Sequence, residues 1–90
     1  MQEIEYQIEY KKEVIKKLEK LSHPIREIII RSIENKLTKN PIMFGKPLKY
    51  TLKGSRSLRV GDYRVIYEII EDKVIVFIID IDHRKDVYEK

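Results

Sequence analysis

The chain opens on an alternation of two. Ile4, Tyr6, Ile8 and Tyr10 are separated by Glu5, Gln7 and Glu9, which predicts an amphipathic β-strand. The period then changes. Val14, Ile15, Leu18 and Leu21 recur at helical spacing among lysines and glutamates, predicting a helix from Lys11 onward with one buried face. Ser22-His23-Pro24 interrupts it, and Pro24 suits the first turn of a second helix capped by Ser22 or His23. Ile25, Ile28, Ile29, Ile33 and Leu37 mark the inward stripe of that helix, and Asn40-Pro41 ends it. Two amphipathic helices joined by so short a break form an αα-hairpin.

The remainder reads as strand. After a loop from Asn40 to Pro47 come two short segments, Leu48–Leu52 and Ser57–Val60, with Gly54 as a bulge or turn between them. Val60-Gly61-Asp62 suits a tight turn. Tyr63–Ile70 and Val74–Ile81 are nearly continuous apolar, β-branched runs joined by Glu71-Asp72-Lys73, the pattern of a central hairpin covered by helices. The order β-α-α-β-β-β predicts an α+β fold: an antiparallel sheet with an N-terminal helical hairpin packed on one face. The other face is left for function.

Ninety residues build one modest core, so 1–90 reads as a single domain. No apolar run approaches the ~18 residues that span a bilayer. The acidic start Met1-Gln2-Glu3-Ile4-Glu5 is unlike a secretory leader, so the expected location is cytoplasmic, with no membrane partner. The absence of cysteine excludes a disulfide framework and thiol chemistry. His23 and His83, the two histidines, lie far apart, so neither a metal site nor a cofactor is expected. Charge changes the picture more. Lys46, Lys49, Lys53, Arg56, Arg59 and Arg64 stand against Asp62 alone, a local +5 that exceeds the +4 of the whole chain. Such a block is the footprint of a polyanion binder, or else a solvated Lys-rich surface.

Several side chains carry two readings each. Arg64, inside an apolar strand, either serves a site on the open face or pairs with Glu68. Arg84 either joins that site or pairs with Asp82 or Asp86. His83 is an acid–base candidate near neutral pH or a strand-end residue satisfied by backbone. Tyr88 is a site residue or an edge filler, and His23 is a cap or loop residue.

The order of elements, the string Leu58-Arg59-Val60-Gly61-Asp62-Tyr63-Arg64-Val65-Ile66-Tyr67-Glu68-Ile69, and the closing His83-Arg84-Lys85-Asp86-Val87-Tyr88 resemble the RelE/ParE toxin superfamily. Within it the chain is more similar to the RelE branch, and the likeness covers almost its whole length. The resemblance implies a microbial-RNase-like sheet that enters the ribosomal A site and cuts bound mRNA. The RNA's own 2′-OH is then the nucleophile, no metal is needed, and a 2′,3′-cyclic phosphate remains. It implies a RelB-like antitoxin partner and a ribosome carrying mRNA. It also matches Arg64 to the phosphate-stabilising arginine, Arg84 to a second catalytic arginine, and Tyr88 to a tyrosine that stacks on a base or moves a proton. His83 falls at an often basic position. Arg59 becomes an RNA contact or a partner of Asp62, and Lys46, Lys49 and Lys53 become backbone contacts.

The pattern departs in one place. Two basic positions before Leu58 in the best-known relatives are Ser55 and Ser57 here, with Arg56 between them on the opposite face. A one-residue bulge near Gly54 would turn Arg56 onto the working face as a phosphate contact. Otherwise Tyr88 or His83 supplies the base, or the protein is a weak nuclease. A ParE-like inhibitor of DNA gyrase and a non-cleaving ribosome- or RNA-binding module are the alternatives.

Overall fold

The computed structural model describes residues 4–48 and 54–83. Five strands, β1 (Gln7–Tyr10), β2 (Lys46–Pro47), β3 (Ser55–Val60), β4 (Tyr63–Ile70) and β5 (Ile75–His83), make one sheet in the order β1-β5-β4-β3-β2. Helices α1 (Lys12–Lys20) and α2 (His23–Ser32) cover one face, and α2 runs on into a π-helical turn over Ile33–Leu37. A single turn, α3 (Pro41–Phe44), then leads into β2. The α+β fold and the helical hairpin follow the sequence pattern.

β2 to β5 pair antiparallel throughout, but β1 runs parallel to β5, from Gln7 opposite Ile75 to Tyr10 opposite Ile78. The sheet is therefore mixed rather than antiparallel. β1 passes directly into α1 and has no sequential strand to fold back on, so its alternating face is buried at the outer edge of β5. Of the strand expected over Leu48–Leu52, Leu48 lies outside any strand and residues 49–52 lie outside the described set; the two-residue β2 stands just before it, at Lys46–Pro47.

The tight turns sit where the sequence punctuates. Gly61, at φ +58°, joins β3 to β4 with Asp62. Such a backbone favours glycine because a Cβ would crowd the following carbonyl.

The core lies between helices and sheet. Val14, Leu18, Ile29, Ile33 and Leu37 pack on Leu58, Val60, Val65, Tyr67, Val76, Ile78 and Ile81. The stripes are narrower than their spacing suggests: Ile15 is 44% and Ile28 58% exposed. Consecutive helical residues point about 100° apart, so Ile15 cannot share the inward direction of Val14, nor Ile28 that of Ile29.

Tyr67, at the middle of β4, is the largest fully buried side chain. Its hydroxyl donates to the carbonyl of Pro41, tying α3 to the sheet. Burial pushes the phenol above its usual pKa, a rise that the neighbouring Arg56 partly opposes. Gly45 lies against the same ring, and a Cβ there would overlap the Tyr67 hydroxyl. Gly45→Ala should cost about 1–3 kcal/mol by overpacking. Tyr67→Phe, which strands the Pro41 carbonyl, should also cost about 1–3 kcal/mol. Urea unfolding of both variants checks this.

Candidate nucleic-acid interface

Strand alternation decides which charges meet. On β3, Leu58 and Val60 point into the core, so Ser57 and Arg59 point to the face away from the helices. β4 contributes Arg64, Ile66 and Glu68 to that open face, and Arg64 stands in register between Arg59 on β3 and Asp82 on β5. The two arginines singled out from one motif are thus direct cross-strand neighbours.

β2 pairs with β3 through Lys46–Ser57 and Pro47–Arg56, and the Leu48 amide just after it donates to the Ser55 carbonyl at 2.9 Å. Among the described residues nothing pairs with the outer edge of β3 beyond Ser57, and a cleft of about 390 Å³ opens there. Lys36, Phe44, Lys46, Ser57, Leu58, Arg59 and Arg64 line it. Four cations and no carboxylate face one space, which concentrates positive potential on any polyanion that enters. Lys46, Arg59 and Arg64 were legible as candidates; Lys36 and Phe44 were not. Lys36 arrives from the helical layer, forty-six residues upstream of Asp82 in a region read only for its apolar stripe. Phe44 carried a signal, an aromatic residue in a polar-flanked loop just before Lys46. The Lys36 ammonium lies 5.9 Å from the centre of the Phe44 ring, within cation–π range.

Arg56 does not reach this cleft. β3 and β4 stay in continuous register from Ser55–Glu68 to Val60–Tyr63, so the bulge near Gly54 is absent and Arg56 remains on the helix side, opposite buried Tyr67. The sheet's irregularity lies instead between Ile66 and Tyr67 of β4, where their partners on β5 jump from Asp80 to Ile78. One guanidinium nitrogen of Arg56 donates to the carbonyls of Ile42 (2.6 Å) and Gly45 (2.9 Å), clamping the backbone on both sides of Phe44. Ser55 is 1% exposed, whereas Ser57 lines the cleft with a hydroxyl.

His83 closes β5 in register with Tyr63, whose ring meets the imidazole edge-on at 4.9 Å. Alternation puts it on the opposite side of the sheet from Arg64. His23 opens α2 on the surface, its ring 3.4 Å from Arg26 and 3.9 Å from Glu27. Lys49, Lys53, Arg84 and Tyr88 lie outside the described residues. Among the described residues no three His, Asp or Glu side chains gather as metal ligands.

The acids collect elsewhere. Lys17 of α1 reaches the edge of β5 left uncovered where β1 ends, donating to Asp80 at 2.6 Å and to Asp82 and the Ile81 carbonyl at 3.3 Å. The Asp80 contact raises the Lys17 pKa. Asp82 nonetheless titrates above the usual carboxylate range, because burial and the neighbouring Asp80 outweigh the more distant share of one ammonium.

Fold and cleft together define a class: small α+β proteins with helices on one face of the sheet and a cationic cleft at its edge. The family model for the ParE toxin of type II toxin–antitoxin systems, parDE, matches residues 8–88. Toxin RelG of Mycobacterium tuberculosis is 36% identical over 73 residues, covering 81% of this chain and 84% of its own. The mRNA interferase toxin RelE of Escherichia coli K12 is 29% identical over 91 aligned residues, covering 94% and 92%. In the crystal structure of the toxin–antitoxin complex RelBE2 of M. tuberculosis, a chain 30% identical superposes with a TM-score of 0.84, covering 92% of this chain and 95% of that one. This chain belongs to the RelE/ParE family and is a RelE-type toxin of a type II toxin–antitoxin system.

Because the folded-state pKa of Asp82 is raised, its contribution to stability is present below the unfolded value of about 3.9 and is lost as pH rises through the folded value. Asp82→Asn should therefore gain on the wild type in melting temperature as the pH goes from about 3.5 to about 6. A pH series of thermal melts checks the sign.

Proposed function

We propose that the protein is a ribosome-dependent endoribonuclease that cuts mRNA in the A site. The observation that carries this reading is the carboxylate-free cleft at the uncovered edge of β3, where Arg59 and Arg64 are cross-strand neighbours. The E. coli relative named as an mRNA interferase supports the same chemistry. The 2′-oxygen of one ribose attacks the adjacent phosphorus while its proton passes to a base. The bond from phosphorus to the 5′-oxygen breaks, and that oxygen takes up a proton. A 2′,3′-cyclic phosphate and a 5′-hydroxyl result, with no metal taking part.

Arg64 grips the phosphate as negative charge grows on its oxygens, its planar fork suited to two of them at once. Arg84, one residue beyond β5, stabilises the departing oxygen. The proton falls to Tyr88, since His83 stands with Tyr63 on the helix side. Lys36, Lys46 and Arg59 hold flanking phosphates, and Lys49 and Lys53 add to the attraction. Arg56 takes no part in contact and acts through the backbone it clamps.

The partner that neutralises the toxin is a RelB-like antitoxin, as in the RelB–RelE complexes of E. coli and Pyrococcus horikoshii. An acidic segment of it suits the +5 block by charge. Among the described residues no helix is long and apolar enough to cross a membrane, which agrees with work on cytoplasmic ribosomes.

Toeprinting on stalled ribosomes tests the reading. The wild type should cut the A-site codon in the presence of EDTA, and Arg64→Ala or Arg84→Ala should slow the cut roughly 10²–10³-fold. Absence of a cut together with inhibited gyrase supercoiling would make the protein a gyrase poison instead. Binding to uncut single-stranded RNA should weaken with salt by a log–log slope near −0.7 per phosphate held, so about −3 for four cations. Lys36→Ala should reduce that slope by about 0.7.

A further inference from the structure

Phe44 is 40% exposed and lines a cleft that is otherwise cationic. An aromatic ring normally leaves water unless its backbone holds it there. Three side chains hold this one. The Asn40 side chain accepts from the Met43 amide at 3.2 Å, capping α3. The Tyr67 hydroxyl holds the Pro41 carbonyl, and Arg56 holds those of Ile42 and Gly45. The ring is thus kept in place by main-chain anchors on either side, not by its own burial. Its neighbours Ile42 and Met43, though 52% and 68% exposed, are not among the cleft's lining residues.

Lysines and arginines alone would hold any polyanion. A ring set among them favours a polyanion that also carries flat, unpaired π-systems, because every nucleobase can stack and no phosphate can. We propose that Phe44 is the stacking platform for one unpaired base of the bound RNA, with the phosphates beside that base on Lys46 and Arg59. Lys36, 5.9 Å from the ring centre, completes the subsite as a second cation close to the ring. This rests on the reading that the cleft takes RNA. It adds that binding at this point senses the presence of a base and not its identity, since stacking tolerates all four.

The probe is a short fluorescent single-stranded RNA with 2′-O-methyl riboses, which the protein cannot cut, read by anisotropy. Phe44→Leu keeps an apolar side chain and should weaken binding about 5- to 100-fold, whereas Phe44→Trp should bind at least as tightly as the wild type. The same RNA is then made abasic at one position at a time. At one position the wild type should lose a similar factor, and Phe44→Leu should lose nothing further there, the signature of two groups that act only together. Equal losses in both proteins at every abasic position would overturn the platform, and so would unchanged affinity in Phe44→Leu. Unchanged RNA affinity with weakened binding of a protein partner would make Phe44 an anchor for that partner and likewise overturn it. Failure of the wild type to bind the intact RNA would instead remove the RNA reading of the cleft, so the two failures are distinct. The abasic scan on wild-type protein needs no variant to fold.

Discussion

The buried hydroxyl of Tyr67 governs much of this molecule. A phenol at the centre of an apolar core must find an acceptor, or its desolvation is uncompensated. It finds the Pro41 carbonyl, and this draws α3 down onto the sheet. The approach is so close that position 45 has no room for a side chain. Arg56, beside Tyr67 on the next strand, secures the same turn through two more carbonyls. The wall of the binding cleft therefore follows from a polar requirement of the core. Phe44 and Lys46 stand where they do because the backbone between them is held from below.

Charge is divided across the open face of the sheet. Arg59, Arg64 and Lys46 gather at the β3 end, while Asp80 and Asp82 gather at β5, where Lys17 serves them both. A net charge of +4 spread evenly would steer weakly. Gathered at one edge, the cations present an attractive rim there, and Arg64 meets Asp82 in cross-strand register where the acidic side begins. The raised pKa of Asp82 reflects its burial first and the like charge of Asp80 beside it second.

On β3, Ser55 and Ser57 bring no charge to the sheet. Arg56 does not compensate for them. Besides Arg59 and Arg64, the cations that face the cleft come from neighbouring elements: Lys46 from β2, pairing with Ser57 itself, and Lys36 from the helical layer.

Periodicity alone determined most of the fold. The alternation at Gln7–Tyr10, the helical spacing after Lys11, the break at Pro24 and the long apolar runs of β4 and β5 all report which side of an element meets the core, whereas Ile4, before the strand begins, stays 69% exposed. The adjacency of Arg59 and Arg64 was also legible, because a two-residue turn at Gly61-Asp62 leaves little choice of register. What lay beyond the sequence was everything set by contacts distant along the chain. The parallel docking of β1, the side taken by Arg56, the arrival of Lys36 and the exposure of Phe44 each depend on where one element crosses another. On β3 a shift of one residue in register would turn Arg56 outward and Arg59 inward. Only the closed core, with the Tyr67 hydroxyl seeking its one acceptor, decides that register and so decides which charges share the cleft.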